Sequence, residues 1–254
     1  MIQVDKVSKQ YDGKAVLKDL SLEIEEGETV VILGRSGAGK SVLLKLIMGL
    51  DTPDSGAISI DGEAVGKEGE SHKRHRVGML FQGSALFDSM TIGENVAFYL
   101  TEHGDREEGK PYPIGVIESM VEEALSIVEL EGVANKMPGE LSGGMRKRAA
   151  LARLIVYRPD ILLYDEPTSG LDPLTSRQIN RVILKTQKEL NATSLVVTHD
   201  LLSALAIGDR LALHQGGHLP YIDPPLAFLQ HEDEMIRFLH STLSIDPEKI
   251  GGHP

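Results

Sequence analysis

Short apolar runs separated by turn residues open the chain and predict a β-rich first segment. Residues 2–32 read as strands joined by turns at Asp12-Gly13 and Glu25-Glu26-Gly27. The β-branched run Glu28–Leu33 predicts a buried strand. The run Val42–Met48 follows it with the apolar spacing of a helix. We therefore expect one strand to lead, through a glycine-rich loop, directly into a helix.

The pattern becomes mainly helical over Ser84–Arg158 and then returns to strands. Within that stretch, Ile117–Leu130 repeats apolar residues every three or four positions, which is typical of an amphipathic helix. Two buried strands, Ile161–Asp165 and Ser194–His199, flank a helix over Asn180–Leu190. A strand, a helix and a strand in this order predict a right-handed parallel crossover, and hence an α/β sheet.

The remaining segments are simpler. Ala57–Ile60 reads as a strand, and Glu63–Arg76 as a loop or a short exposed helix. The tail from Pro224 predicts two short amphipathic helices, within Pro225–Leu243. They either cover the end of the sheet or grip a neighbouring subunit or regulatory protein. We expect Gly251–Pro254 to lack fixed structure.

Composition narrows the class of protein. The 254 residues are 41% hydrophobic and 25% charged, which is ordinary for a globular chain. Lys and Arg total 26 against 38 Asp and Glu, so the net charge is −12. Such a surface repels phosphate, which argues against a nucleic-acid partner. It also repels an anionic bilayer, so we expect any membrane association to run through a protein partner.

Cysteine is absent, which excludes disulfides, thiolate metal sites and cysteine nucleophiles. His214 and His218 are four positions apart, but the Gly216-Gly217 turn between them disfavours a metal site. No apolar run approaches the length of about 20 residues that a membrane-spanning helix needs. The first residues lack the apolar core of a signal peptide, and we expect a cytoplasmic location.

The segment Gly34–Ser41 fits the phosphate-loop pattern G-x4-G-K-[ST] and lies between the expected strand and helix. Its glycines let backbone N–H groups converge on phosphate oxygens at a helix N-terminus. Lys40 supplies a cation for the β- and γ-phosphates, and the Ser41 hydroxyl can hold Mg²⁺. The motif predicts nucleotide binding.

A second anion cradle is predicted at Leu141-Ser-Gly-Gly-Met145, ahead of a helix over Arg146–Tyr157. Ser142 is a natural N-cap, and the two glycines expose the first N–H groups. Alone this is an ordinary helix start. Because one nucleotide does not need two such cradles on one chain, the pair suggests a two-fold dimer whose copies exchange them.

Polar residues end two of the buried strands. Asp165 and Glu166 follow one, and His199 follows the other. Asp165 can bind Mg²⁺, and Glu166 can polarise an attacking water. His199 can hydrogen-bond a γ-phosphate or a water. Alone, the acid pair is often just a strand ending in solvent, and His199 is more often structural.

In this order and spacing, the set resembles the ATPase subunit of ATP-binding-cassette (ABC) transporters over residues 2–222. The resemblance implies an α/β P-loop NTPase core sheet, an antiparallel β lobe and an inserted helical signature subdomain. The implied divisions are a nucleotide-binding core and lobe over 1–82 and 159–222, a helical subdomain over 83–158, and a C-terminal helical extension and tail over 223–254.

The resemblance also implies ATP and Mg²⁺ as ligands. Tyr11 would stack on adenine, and Gln82 would sense Mg²⁺ and the partner. Ser169–Asp172 would be a dimer contact. Ser142, Gly143 and Gly144 would reach the γ-phosphate held by a second copy. The implied catalytic residues are Lys40, Glu166 and His199, the metal ligands are Ser41, Gln82 and Asp165, and the other nucleotide-binding residues are Gly34, Arg35, Ser36, Gly37, Ala38, Gly39 and Val42.

Local strings resemble a subfamily, the ATPases of Mla/Mce-type lipid transporters. They are Ser41-Val42, Gly83–Met90 and Arg146–Arg153, together with Met145 where many members have Gln. This implies movement of phospholipid between membranes of the cell envelope, from the cytoplasmic face of the inner membrane. The implied partners are a permease, a second copy, a STAS-domain subunit and an Mce-domain protein.

Other functions compete with this one. The ATPase of a small-solute importer would share every catalytic residue, and a soluble non-transport ATPase of the superfamily is a further alternative. A GTPase or small-molecule kinase would leave the signature and His199 unexplained.

Three segments are expected to lie at the surface of the folded chain. The basic run His72–Arg76 predicts a solvated face, and Lys147 and Arg148 predict the outer surface of a helix. The apolar residues within Ala85–Met90 are expected to line a groove for a cytoplasmic helix of the permease.

Overall fold

A computed structural model describes residues 1–66, 77–105 and 110–241. The N-terminal part forms an antiparallel sheet in the order β2-β1-β4-β5. The predicted turn at Asp12-Gly13 joins its first two strands, and both turn residues have positive φ, 50° and 75°. The four strands are β1 (Ile2–Tyr11), β2 (Lys14–Ile24), β4 (Ser55–Ile60) and β5 (Glu63–Ala64).

A second sheet has the order β10-β9-β3-β8-β7-β6, in which β10 is antiparallel to β9 and the other neighbours are parallel. The parallel pairing of β7 with β8 confirms the predicted crossover. The sequence patterns predicted β3, β7 and β8 but not the other three strands. The six are β3 (Thr29–Leu33), β6 (Val77–Leu80), β7 (Ile161–Asp165), β8 (Thr193–Thr198), β9 (Arg210–Gln215) and β10 (His218–Asp223).

Helices pack around this sheet; the one that starts at Gly143 has the predicted Ser142 cap, whereas the one over Pro173–Leu190 begins well before the predicted Asn180 because of its cap. The Ser142 hydroxyl accepts the N–H of Met145, and Asp172 accepts two N–H groups and precedes a proline at the first helical position. The described helices are α1 (Lys40–Ile47), α2 (Ile92–His103), α3 (Ile114–Ile127), α4 (Gly143–Ile155), α5 (Pro173–Leu190), α6 (Leu201–Ile207), α7 (Pro225–Phe228) and α8 (Glu234–Ser241), with a 3₁₀ turn at Pro138–Glu140.

Two apolar cores lie on opposite faces of the parallel sheet. Val31 and Leu33 belong to one core with the helices, whereas Val30 and Ile32 belong to the other with α1 and the antiparallel sheet. Because both faces are covered, β3, β7 and β8 are buried along their whole length. The carboxyl ends of these strands therefore meet at one edge, where the predicted polar residues follow.

The prediction that Lys147 and Arg148 form an outer helix surface is wrong. Lys147 is only 6% exposed, and Arg148 is half-buried and donates to the carbonyl of Glu129 at 2.7 Å. Both side chains lie against loops that fold over α4, which helix periodicity does not reveal. The basic run His72–Arg76 and the segment Gly251–Pro254 lie outside the described residues.

The described ranges can be characterised by the length of their helices and the grouping of their His, Asp and Glu side chains. None of the helices there combines the length and the apolar character that crossing a membrane requires. Within the same ranges, no three His, Asp or Glu side chains cluster as metal ligands, His214 and His218 included.

Candidate active site

The glycine-rich loop joins β3 to α1 in tight contact with its surroundings. Gly37 and Gly39 adopt left-handed φ values of 73° and 105°. A Cβ atom on Gly39 would lie 2.9 Å from the carbonyl oxygen of Val16, and one on Gly34 would lie 2.8 Å from that of His214. The packing therefore requires glycine at both positions and leaves the loop backbone uncovered for an anion.

Lys40 begins α1, and its ammonium group points back into the loop. Nζ donates to the carbonyls of Gly34 at 2.7 Å and Arg35 at 3.0 Å. It also lies 3.5 Å from Oε1 of Glu166. Burial lowers the pKa of the Lys40 amine, and the Glu166 carboxylate opposes that shift. The buried Lys40 ammonium group is thus fixed beside the loop backbone, where it can meet a bound phosphate.

Ser41 and Asp165 supply a pair of oxygens at the same end of the sheet. The Ser41 hydroxyl donates to Oδ1 of Asp165 at 2.7 Å. Burial raises the pKa of the Asp165 carboxyl, although the bond from Ser41 opposes this. A hydroxyl and a carboxylate are ligands that Mg²⁺ accepts beside nucleotide phosphates, so this pair fits that ion.

Glu166 follows Asp165, but its carboxylate has different partners. Its left-handed φ of 49° breaks the strand direction, and its N–H donates to the carbonyl of Val197 at 2.9 Å. Oε2 lies 2.8 Å from Nδ1 of His199. Glu166 is 7% exposed. Lys40 lies near one of its carboxylate oxygens and His199 near the other.

A cavity of about 260 Å³ opens over these groups. Gln82 and Glu166 line it together with the phosphate loop, which fits a chain of phosphates with a bound Mg²⁺. Its lining residues are Val16, Ser36, Gly37, Ala38, Gly39, Lys40, Ser41, Val42, Gln82 and Glu166.

Several predicted site residues lie apart from that cavity. Arg35 lines a neighbouring cavity of about 630 Å³ that also touches His199 and α8. Ser142 and Gly143 are exposed at the start of α4, whereas Gly144 is buried against Thr175. Tyr11 is 42% exposed. Ser142, Gly143 and Gly144 are therefore not among the described residues that line the phosphate cavity.

Tyr11 is tied to a small polar cluster at the end of β1. Its hydroxyl donates to the carboxylate of Asp51, which also accepts from Nζ of Lys9 at 2.8 Å. The Lys9 ammonium lies 5.3 Å from the centre of the Tyr11 ring. These contacts fix the ring while leaving much of it open to solvent.

Two residues of the site were not found by sequence reasoning. Val16 lines the phosphate cavity because the β1–β2 hairpin folds over Gly39. The Lys147 ammonium group donates a hydrogen bond to the backbone carbonyl of Gln82. Neither residue belongs to a motif with a fixed spacing, so no local signal could identify it.

Known proteins are similar to this chain in sequence. The chain is 40% identical over 240 residues to "Probable ribonucleotide transport ATP-binding protein mkl" of Mycobacterium tuberculosis H37Rv, covering 93% of this chain and 65% of that protein. It is 39% identical over 224 residues to the sulfate/thiosulfate import ATP-binding protein CysA of Pseudomonas aeruginosa, covering 88% and 67%. The chain thus spans about two thirds of the length of these relatives.

A solved structure gives the same result. The dimeric structure of a post-hydrolysis state of the ATP-binding cassette MJ0796 bound to ADP and Pi superposes with a TM-score of 0.79 at 33% identity, covering 89% of this chain and 99% of that one. The sequence model described as ABC transporter matches residues 17–169. The chain therefore belongs to the ABC transporter family, as one of its ATPase cassettes.

Proposed function

We propose that this chain hydrolyses ATP as the motor subunit of a membrane transporter. The observation that carries the proposal is the Glu166 carboxylate, 2.8 Å from His199 and 3.5 Å from Lys40 at the end of β7. A buried carboxylate beside a phosphate cavity can accept the proton of an attacking water, because it is a base held at a fixed position.

The other residues bind and orient the nucleotide. The loop N–H groups and Lys40 hold the β- and γ-phosphates, and Tyr11 stacks on the adenine. Ser41, Asp165 and Gln82 would hold Mg²⁺, which supplies positive charge to the phosphates when bound. His199 keeps the Glu166 carboxylate oriented and offers a hydrogen bond to the γ-phosphate.

A second copy of the chain completes each site in this proposal. The N-terminus of α4, with exposed Ser142 and Gly143, lies away from the chain's own phosphate cavity. In a two-fold dimer each copy presents this cradle to the other's nucleotide, and residues Ser169–Asp172 lie at the contact. The related MJ0796 structure, described as dimeric, supports this arrangement.

The hydrolysis proposal is tested with Glu166→Gln, which keeps the size of the side chain and removes the base. We expect the rate of phosphate release to fall by about 100-fold or more, while ATP binding persists and a stable dimer accumulates. Glu189→Gln, at an exposed position on α5, is the matched control. Undiminished hydrolysis by the Glu166 variant would remove that residue from the role of base.

For the transported substrate we propose phospholipid, moved between membranes of the cell envelope. The support is the resemblance of the strings around Ser41-Val42, Gly83–Met90 and Met145 to lipid-transporter ATPases. The partners would be an integral permease, a STAS-domain subunit and an Mce-domain protein, with this chain at the cytoplasmic face of the inner membrane. The similarity to CysA favours a second candidate, a small-solute importer.

Gentle detergent extraction of native membranes that carry a tagged copy separates these candidates. Mass spectrometry would identify the proteins and lipids that co-purify. A permease arriving with an Mce-domain protein and enriched phospholipid supports lipid transport. A solute-type permease without lipid supports the importer, and recovery from the soluble fraction alone contradicts a transporter role.

A further inference from the structure

Lys147 is a buried cation whose role the motifs do not explain. It lies on α4 five residues after the Ser142 cap and is 6% exposed. Its ammonium group donates to the backbone carbonyl of Gln82. Burial lowers the pKa of the Lys147 amine, against attraction from Asp165 and Glu166. Lysine is rarely buried unless its charge has a use, because desolvation is costly and an apolar side chain would pack as well.

The segment that Lys147 contacts lacks regular structure between β6 and α2. Such a segment needs other partners for its backbone groups. The Arg153 guanidinium of α4 donates to the carbonyl of Ala85 at 2.5 Å and lies 4.6 Å from the centre of the Phe87 ring. Two cations of one helix therefore hold two carbonyls of this segment.

A third side chain fixes the far end of the segment. Asn95 of α2 is fully buried, accepts the N–H of Phe87 at 2.7 Å and donates to its carbonyl at 3.0 Å. It also donates to the carbonyls of Met90 and Thr91. The Gln82–Thr91 segment is thus held by side chains of α2 and α4, both outside the parallel sheet.

We propose that Lys147 is a positioning residue that makes Gln82 move with α4. Gln82 lines the phosphate cavity, and its backbone carbonyl is bound by the helix that begins at the signature glycines. A displacement of α4 therefore carries the Gln82 peptide with it and alters what its side chain presents to the phosphates. Only the catalytic consequence of this inference rests on the proposed function.

Lys147→Met tests the connection, because methionine keeps the length and apolar stem but has no donor. Hydrogen exchange measured without nucleotide should show the amides of residues 81–90 exchanging about 10-fold faster than in the unaltered chain. Lys147→Arg, which restores a cationic donor, should recover much of the protection. Lys188→Met, an exposed lysine on α5, is the matched control and should leave the exchange unchanged.

Kinetics provide a second readout. Lys147→Met should lower kcat for ATP by about 10-fold and change KM by less than about 3-fold, because Lys147 does not line the phosphate cavity. A global loss of packing would instead lower the melting temperature and speed exchange throughout the chain. Lys147→Leu, which also lacks a donor, allows the same comparison should the methionine variant unfold.

Hydrogen exchange without nucleotide tests the role of Lys147, whereas Mg-ATP binding and hydrolysis by the unaltered chain test the proposed function. Unchanged exchange at residues 81–90 in a folded Lys147→Met chain would overturn the positioning role. An equal effect of Lys188→Met would do the same. If the unaltered chain fails to bind or hydrolyse Mg-ATP, the proposed function fails, and the exchange experiment without nucleotide still decides whether Lys147 holds the segment.

Discussion

The Ser41 hydroxyl and the Asp165 carboxylate are 124 positions apart in sequence and form a hydrogen bond of 2.7 Å. Ser41 lies in the first turn of the helix that follows β3, and Asp165 ends β7. Strand β8 pairs in parallel with both strands, so their carboxyl ends reach the same edge of the sheet. Two oxygens suited to Mg²⁺ are thereby placed together by topology alone.

Ser41→Ala should uncouple nucleotide binding from Mg²⁺. We expect ATP affinity without Mg²⁺ to change by less than about 2-fold, whereas the gain in affinity on adding Mg²⁺ falls by about 10-fold or more. Titration of a fluorescent ATP analogue with and without Mg²⁺ measures both values. Ser36→Ala, in the same loop, should keep the gain. A full Mg²⁺ effect in the Ser41 variant would argue against its role as a ligand.

Tyr11→Ala should lower ATP affinity by about 10-fold, the usual contribution of one base stacked on an aromatic ring. Tyr11→Phe keeps the ring and loses only the bond to Asp51, so its affinity should stay near that of the unaltered chain. Competition between ATP and inorganic triphosphate separates the adenine contribution from the phosphate contribution. Equal affinities of the alanine and phenylalanine variants would exclude stacking on Tyr11.

Gly144→Ala should create a collision that a second substitution relieves. A Cβ atom at Gly144 would lie 2.4 Å from Cγ2 of Thr175, and the next atoms of that side chain are 3.8 Å or more away. We expect the alanine to lower the free energy of unfolding by about 1–3 kcal/mol. Thr175→Ser removes the methyl group and keeps the hydroxyl that donates to Asp172.

Urea denaturation of the two single variants and the double variant measures this coupling. Gly144→Ala with Thr175→Ser should regain at least half of the lost stability, since the two residues are in contact. Additive losses in the double variant would show that the collision is not the cause.

The Lys9–Asp51 pair should make stability depend on pH in the acid range. The hydrogen bond from Lys9, reinforced by that from Tyr11, lowers the pKa of Asp51 from its ordinary 3.8 to about 2. The folded state therefore favours the carboxylate form. The resulting stabilisation is present above about pH 4 and is lost as the pH falls from about 4 towards 2.

Asp51→Asn measures that contribution. At pH 7 it should cost about 1 kcal/mol of unfolding free energy, a value reduced for solvent screening because the Asp51 side chain is 28% exposed. The difference between variant and unaltered chain should shrink as the pH approaches 2. Asp160→Asn is a control on another loop. A difference that stays constant with pH would contradict the shifted pKa.

Leu86→Asp with Phe87→Asp should release the permease proposed above as the partner of this chain while leaving ATP binding intact. Phe87 is 38% exposed within the segment held by α2 and α4, and Leu86 is partly buried against the apolar core, so an unchanged melting temperature must accompany the result. Co-purification from detergent extracts and ATP titration measure the two effects. Leu226→Asp, at an exposed position on α7, is the control. Persistence of the complex in the double variant would remove this segment from the docking surface.

Local sequence alone was sufficient for the phosphate loop and for the polar ends of the buried strands. Gly34–Ser41 has a fixed spacing because its backbone must close around an anion. The apolar runs before Asp165 and His199 are continuous because parallel strands are buried on both faces. The caps at Ser142 and Asp172 are also local; Ser142 is recognisable as an N-cap in the sequence, whereas periodicity alone placed the start of the helix after Asp172 too late.

The tertiary structure decided the features that depend on contacts between distant segments. The sequence predicts Lys147 on the surface, but the Gln82 segment packs over α4, and its backbone carbonyl accepts a hydrogen bond from the Lys147 ammonium group. Val16 reaches the phosphate cavity only because a hairpin packs on Gly39. The separation of Ser142 from that cavity is likewise a matter of topology. No periodicity records these relationships, because each depends on which surfaces meet after the helices and sheets have formed.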